Sequence, residues 1–286
     1  FIGLGYQIGR HAPFLRLCNK DLIEMTHNVL LAHGKATKYI RENAKTTPKI
    51  GFAPTGPVFI PENDSPEAIE EARSKSFAIN EHSYIFSNAW WGDPIMLGEY
   101  PKKAYEIFGE DMPVRSKEDM AIISQPLDFY GANVYYNDHS ARDEASSNAY
   151  WDGTNQGTAK NTLGWPVAPS ALYWSSKFLY ERYHLALLIT ENGIAQHDWI
   201  ALDGKVHDIA RIDFLTRYLR EFKKASEDGI DIMGYMHWSI MDNFEWNQGY
   251  DERFGLVYVD YSTQERTIKD SGYWFKEVME SNGENL

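Results

Sequence analysis

Four short stretches of apolar and aromatic residues predict buried β-strands. They span residues 49–60, 128–136, 184–190 and 231–240, and turn-forming residues bound each of them. Four longer stretches with helical spacing of their apolar positions predict helices, at residues 19–45, 65–86, 207–225 and 268–280. Strands that alternate with helices predict an α/β fold with a parallel sheet covered on both faces.

Individual positions support the helices. Ser65 is a candidate N-cap, and Pro66 follows it at the first helical position. The helix at 207–225 carries an apolar stripe made by Ile209, Ile212, Leu215, Leu219 and Phe222. We find no repeat, low-complexity tract or Gly/Ser linker, so residues 1–286 are predicted to form a single domain.

The number of strands is low for a closed barrel. An eight-stranded (β/α)₈ barrel takes about 250 residues, whereas the 286 residues here show four convincing strands. The helix at 19–45 has no strand of its own before it. Either long excursions separate the strands, or the first part of a barrel is absent. The irregular stretch 137–166 follows a strand, where α/β folds build their sites.

Composition narrows the class of protein. The net charge of −13 and the pI near 5.1 argue against sequence-independent nucleic-acid binding, which needs a basic surface. Cys18 is the only cysteine, which excludes an intrachain disulfide and a cysteine-rich zinc site, and we interpret it as structural. No apolar run reaches the roughly 18 residues of a membrane span. No signal peptide, metal cluster or phosphate loop is visible, which favours a cytoplasmic protein without a cofactor.

Glu191 is the first candidate for chemistry. It follows the apolar run of residues 187–190 and precedes the turn signal Asn192-Gly193. In a parallel α/β barrel, side chains at the carboxyl ends of strands face the site. The alternative interpretation is a solvated glutamate that caps a surface turn.

The segment after the last predicted strand mixes carboxylates with large aromatic residues. It carries Trp238, Asp242, Glu245, Trp246 and Phe254. Sugars suit such a mixture, because their C–H faces stack on indole rings while their hydroxyls bond to carboxylates. The alternative is an aromatic core cluster.

Six motifs together cover nearly the whole chain: "ITENGI" (189–194), "DFYGANVYY" (128–136), "LGWPVAPSALY" (163–173), "WSIMDNFEWNQGYDERFGLVYVDY" (238–261), "HNVLLAHGKATKYIRE" (27–42) and "DPIMLGEYP" (93–101). In their order along the chain and in combination they resemble glycoside hydrolase family 1, whose members are retaining β-glycosidases with a (β/α)₈ barrel. The resemblance implies that this chain covers roughly strands five to eight, a partial barrel.

The resemblance implies roles for individual residues. Glu191 matches the nucleophile, Tyr135 the tyrosine that hydrogen-bonds it, and Asn133 a neighbouring asparagine of the site. Val134 departs from the tyrosine common in the family at that position. An ordinary buried strand residue is the alternative for Tyr135.

The same resemblance implies a sugar pocket. Glu245 and Trp246 match the pair that holds glycone hydroxyls, Trp238 and Phe254 match walls of that subsite, and Trp165 matches the platform for the leaving group. An anionic Glu245 would repel a phosphate, so the implied substrate is an unphosphorylated β-glucoside or cello-oligosaccharide.

The family's acid/base glutamate lies in a Thr-x-Asn-Glu-Pro motif, and this chain contains no Asn-Glu-Pro. Asn80-Glu81 is the nearest substitute, but it lies within the predicted helix 65–86 and lacks the proline, so we interpret Glu81 as solvated. The stretch "FIGLGYQIGRHAP" resembles the family segment that comes directly after that motif. We therefore expect the chain to be the C-terminal part of a β-glucosidase, inactive or very weakly active alone.

Two further interpretations stay open. The chain could be a non-catalytic half-barrel that self-associates or binds sugar, rather than one that pairs with an N-terminal half. Within the family, the residues present are also compatible with β-galactosidase, β-fucosidase or thioglucosidase activity. The sequon Asn63-Asp64-Ser65 is interpreted as incidental.

Overall fold

The computed structural model describes residues 1–55, 58–113, 117–136, 138–139 and 159–286. Eight helices occur in the described residues: α1 (Asn19–Asn43), α2 (Pro66–Ser76), α3 (Asn88–Met96), α4 (Lys102–Phe108), α5 (Lys117–Ile123), α6 (Ser170–Tyr183), α7 (Ile209–Glu227) and α8 (Asp270–Glu280). The strands there are β1 (Gly51–Phe52), β2 (Phe59–Ile60), β3 (Phe129–Asn133), β4 (Asp138–His139), β5 (Leu187–Asn192), β6 (Ile232–His237), β7 (Val257–Val259) and β8 (Arg266–Ile268).

The central sheet is parallel, in the order β1-β3-β5-β6. Each predicted strand contributes one member, so the α/β class and the partial barrel are confirmed. Within the described residues no strand pairs with the outer edge of β1 or of β6. The side chains of Met233 and Met236 on β6 are 47% and 54% exposed, which leaves an apolar edge open.

The continuous apolar run of β5 follows from its central place. Leu187 and Ile189 are fully buried against α6 and α7, in a core that includes Leu172 and Leu215. Leu188, on the other face, is also buried. A strand covered on both faces is stabilised by apolar residues at every position. The apolar run therefore marked the position of β5 in the sequence.

In two of the predicted strands, the observed boundaries differ from the predicted ones. The stretch 49–60 forms two short strands, of which β1 joins the sheet and β2 pairs with β4. Glu191 lies within β5 rather than after it. Of the predicted loop 137–166, residues 137 and 140–158 lie outside the described residues, while Lys160 and Pro166 form an antiparallel bridge.

The helix predicted at 65–86 was too long. Ser65 caps α2 by accepting from the Ala68 amide at 3.2 Å, as predicted, but the helix ends at Ser76. Beyond the helix end, the Asn80 side-chain oxygen accepts from the amides of His82 and Ser83, which forms a local turn within the stretch predicted as helix. Glu81 therefore lies on an exposed turn rather than on a helix face.

Helices α3 to α6 were not predicted. α6 shows why: Leu172, Ser175, Ser176 and Leu179 are all buried on it. A helix buried around most of its circumference has only a narrow polar strip, here around Lys177 and Glu181, so its spacing gives little amphipathic signal.

Candidate active site

The carboxyl ends of β3, β5 and β6 meet at one edge of the sheet. Asn133 lies opposite Glu191 in the register of β3 and β5. The Trp238 amide, just after β6, donates to the Asn192 carbonyl at 2.8 Å. Three strand ends therefore bring Asn133, Glu191 and Trp238 together, as expected for a parallel barrel.

Glu191 is partly buried and held by two donors. The Tyr135 hydroxyl donates to Glu191 Oε2 at 2.6 Å. The Thr190 hydroxyl donates to Asn133 Oδ1 at 2.6 Å, so the Asn133 amide nitrogen is left to donate toward Glu191. Burial raises the pKa of Glu191, and the hydrogen bonds from Tyr135 and Asn133 oppose that rise.

The backbone around Tyr135 is fixed from three sides. The Val134 amide donates to the Glu191 carbonyl at 2.9 Å, and the Tyr218 hydroxyl donates to the Tyr135 carbonyl at 3.0 Å. The Asn192 side chain donates to the Val134 carbonyl at 2.7 Å. Burial, and then the charge of Glu191, raise the pKa of Tyr135 well above its usual range. Its phenol therefore stays protonated and remains a donor.

Aromatic rings enclose this side of Glu191. The ring centroids of Trp165 and Tyr135 are 5.3 Å apart, and those of Trp165 and Phe254 are 6.0 Å apart. Phe254 is 3% exposed, while Trp165 is half-buried and keeps its place through a 2.9 Å bond from its amide to Asn161 Oδ1. Such a cluster offers apolar faces beside the carboxylate.

Glu245 is a second partly buried carboxylate, close enough to Glu191 for the two charges to interact. Burial, together with the negative charges of Glu191 and Glu252, raises the pKa of Glu245 to about 7. A hydrogen bond from the Trp238 side chain opposes this rise. Two carboxylates in one weakly solvated site disfavour simultaneous ionisation.

Trp246 is placed differently from the other predicted site residues. It is 53% exposed, and its ring meets the edge of Phe1 at a centroid distance of 4.7 Å. It lies at the rim, while Glu191, Tyr135, Asn133, Trp165, Trp238, Glu245 and Phe254 lie together.

Sequence reasoning missed the supporting residues. Thr190 orients Asn133, Tyr218 holds the backbone of Tyr135, and Glu252 raises the pKa of Glu245. Thr190 could have been found from its place next to Glu191, because a polar residue interrupts the apolar run there. Tyr218 comes from α7, and nothing in the sequence marks its contact with residue 135.

The Glu245 carboxylate should lower the stability of the fold above neutral pH. Because its folded pKa of about 7 exceeds the ordinary value of 4.5, the folded state binds more protons between these values, and stability falls as pH rises through this window. Glu245→Gln should raise the free energy of unfolding by about 1–2 kcal/mol at pH 8, after allowance for solvent screening.

Urea unfolding at pH 8 and pH 5 measures this gain, which should shrink at the lower pH. The exposed Glu81→Gln is the control and should change stability little at either pH. An equal gain at both pH values would show that ionisation of Glu245 is not its cause.

Two other features, a metal site and a membrane-spanning helix, are absent from the described residues. Among these residues no three His, Cys, Asp or Glu side chains are grouped to hold a metal ion. None of the helices described is both long enough and apolar enough to cross a membrane.

Comparison with known proteins places the chain in a family. A family model for "Glycosyl hydrolase family 1" matches residues 1–284. A 1,4-beta-D-glucan glucohydrolase of Thermotoga neapolitana is 39% identical over 285 residues, and beta-glucosidase A of Thermotoga maritima is 38% identical over 285 residues. Each match covers 98% of this chain and 61% of the relative.

Solved structures agree with the sequence matches. A family 1 β-glucosidase from Thermotoga maritima superposes with a TM-score of 0.83 at 35% identity, over 98% of this chain and 61% of that chain. The same enzyme in complex with deoxynojirimycin gives a TM-score of 0.81 at 35% identity, over 99% of this chain and 61% of that chain. The chain thus spans about three fifths of the length of these relatives. With its parallel partial barrel and its match from residue 1 to residue 284, the chain belongs to glycosyl hydrolase family 1.

Proposed function

We propose that the chain carries the nucleophile side of the active site of a retaining β-glucosidase. The observation that carries this proposal is the Glu191 carboxylate, which lies at a strand end, accepts a 2.6 Å bond from Tyr135 and has a second carboxylate, Glu245, near it. The names of the relatives, β-glucosidase and glucan glucohydrolase, support the same class of reaction.

The proposed reaction is a double displacement. The Glu191 carboxylate attacks the anomeric carbon as the bond to the leaving oxygen breaks, and a separate acid gives that oxygen a proton. Water, deprotonated by the same group, then attacks the glycosyl-enzyme and releases Glu191. The sugar leaves with its β-configuration retained.

We assign the acid to a segment outside these 286 residues. Glu81, the sequence candidate, is exposed on a turn. Glu245 has the raised pKa of a general acid, but its carboxyl accepts a hydrogen bond from the Trp238 side chain, which suits a group that holds sugar hydroxyls. The open outer edges of β1 and β6 are where a complementary half-barrel would pair.

The proposed substrate is an unphosphorylated β-D-glucoside or cello-oligosaccharide. Glu245 and Trp238 offer a carboxylate and an indole to sugar hydroxyls and C–H faces. An ionised Glu245 disfavours a sugar phosphate. The Thermotoga maritima structures with deoxynojirimycin and with glucoimidazole support a glucose-like ligand.

A joined enzyme tests the proposal. It is one polypeptide in which the part of the Thermotoga maritima relative that this chain does not match is placed ahead of Phe1. We expect it to hydrolyse p-nitrophenyl β-D-glucoside faster than the corresponding galactoside or fucoside. A folded joined enzyme without turnover would overturn the proposal, and self-association of the chain alone, measured by sedimentation, would favour the half-barrel alternative.

Tyr135→Phe should shift the pH dependence of the joined enzyme. Loss of the phenol removes a hydrogen bond that lowers the pKa of Glu191, so the acid limb of kcat/KM should move to higher pH. A hydrogen bond to a charged group contributes about 1.5–3 kcal/mol, which corresponds to roughly 10- to 100-fold in kcat/KM.

Tyr130→Phe is the matched control for this variant. Tyr130 lies on β3, the strand that leads to Tyr135, but its ring stacks on Tyr183 at 5.2 Å, away from Glu191. Its pH profile should keep the wild-type position. If the acid limb of Tyr135→Phe also stays in place, the phenol does not set the ionisation of Glu191.

A further inference from the structure

A series of buried side chains with alternating charge lies at the base of the loop 243–254, which follows β6. Its six members are Asp208, Arg211, Asp198, Lys269, Asp242 and Arg253. We call it the buried ion-pair chain. Lys269 Nζ lies 2.5 Å from Asp198 Oδ2 and 2.8 Å from Asp242 Oδ1, and Arg211 lies 2.8 Å from Asp198. Arg211 and Lys269 are fully buried. Three positive and three negative groups balance, which such burial requires.

Asp242 closes the loop that follows β6. Besides Lys269, its carboxylate accepts from Arg253 at 2.6 Å and from the Gly255 amide at 3.0 Å. Asp242 directly precedes the loop 243–254, and Gly255 directly follows it. Gly255 has no room for a Cβ, which would collide with the Asp242 nitrogen. The two legs of the loop are thus clamped together at its base.

Lys269 connects this clamp to the rest of the fold. It precedes α8, and its amide donates to the Leu256 carbonyl at 2.9 Å. Burial and the charge of Arg211 lower the pKa of Lys269, while Asp198 and Asp242 raise it. Its charged form therefore depends on both carboxylates.

The clamped loop carries two groups of the proposed sugar pocket. Glu245 lies three residues after Asp242, and Phe254 lies between Arg253 and Gly255. The Phe254 carbonyl accepts from His237 Nε2 at 3.2 Å and from the Ser239 amide at 3.3 Å. Glu191, in contrast, is placed by the sheet. A shift of the clamp would move Glu245 and Phe254 relative to Glu191.

We propose that Asp242 and Lys269 are positioning residues for the glycone pocket, which act through the loop 243–254 and set where Glu245 and Phe254 stand relative to Glu191. This rests on the proposed function. A partial release of the clamp should weaken glycone binding about tenfold, roughly the loss of one hydrogen bond to a sugar hydroxyl.

Asp242→Asn in the joined enzyme tests the proposal against Asp208→Asn. Both replace a buried carboxylate of the ion-pair chain, but Asp208 bonds Ser271 and Arg211 and reaches the loop only through Arg211, which donates to the Arg253 carbonyl at 2.9 Å. We expect both variants to melt at a lower temperature. Only Asp242→Asn should raise KM for p-nitrophenyl β-D-glucoside and Kd for deoxynojirimycin about tenfold, with kcat within about threefold of the wild type.

Unchanged KM and Kd in folded Asp242→Asn, or an equal rise in Asp208→Asn, would overturn the positioning role. Should Asp242→Asn not fold, the double variant Lys269→Met with Asp198→Asn removes one charge of each sign and leaves the pairs Asp242–Arg253 and Asp208–Arg211. It should show the same rise in KM, and values within twofold of wild type would contradict the proposal. Absence of turnover in the wild-type joined enzyme would instead count against the proposed function.

Discussion

Glu191→Gln should lower kcat/KM of the joined enzyme for p-nitrophenyl β-D-glucoside by roughly 10³- to 10⁶-fold, the range seen when a covalent nucleophile is removed. The amide is nearly isosteric, so it keeps an oxygen that accepts from Tyr135, 2.6 Å from the carboxylate in the wild type. It carries no negative charge to attack the anomeric carbon. The loss should therefore appear in turnover, with little effect on folding, because burial already penalises the charged form of Glu191.

The controls are other glutamates of the same chain. Glu81→Gln, on an exposed turn, should leave kcat/KM within about twofold of wild type. Glu245→Gln should impair sugar binding but still turn substrate over. A Glu191→Gln enzyme with near wild-type activity would remove Glu191 from the mechanism.

The second large effect concerns leaving groups. The 286-residue chain alone should hydrolyse glucosides with activated leaving groups, such as dinitrophenolate, far better than alkyl glucosides or cellobiose. General-acid assistance contributes about 10²–10⁴-fold, and a poor leaving group depends on it most. The joined enzyme should recover this factor for the poor leaving groups.

The matched control is a joined enzyme in which the Asn-Glu-Pro glutamate that the family resemblance implies for the added segment is changed to glutamine. Its preference for activated leaving groups should resemble that of the chain alone. Glu245, with a pKa of about 7, is the competing acid. If the chain alone cleaved alkyl glucosides as readily as activated ones, and Glu245→Gln abolished this, the acid would lie within these residues.

Much of the architecture could be predicted because the local signals agree with the tertiary structure. The run 187–190 is apolar because β5 is covered on both faces, and Pro66 after Ser65 marks the start of α2. α6 could not be predicted because its buried serines and aromatic residues leave only a narrow polar strip, around Lys177 and Glu181. The turn that Asn80 makes with its own neighbours interrupts the predicted helix 65–86 beyond the end of α2.

The residues of the candidate site likewise fall into those that the sequence predicts and those that only the fold reveals. Glu191 and Glu245 stand out locally, since each places a carboxylate beside strand or indole residues. Their environment depends on groups that only the fold brings near, such as Tyr218 of α7 and the loop residue Glu252. The buried ion-pair chain joins residues from 198 to 269. No local sequence pattern predicts which of these charged residues pair with each other.

The central claim is that Glu191 forms the covalent bond to the sugar. Its most direct test is mass spectrometry of peptides after treatment of the joined enzyme with 2-deoxy-2-fluoro-β-D-glucosyl fluoride. Fluoride leaves with little need of an acid, and the fluorine at C2 slows hydrolysis of the intermediate, so the adduct accumulates. We expect one fluoroglucosyl group on the peptide that contains Glu191, and none in Glu191→Gln. A label on Glu245 or Glu252, or equal labelling of Glu191→Gln, would contradict it.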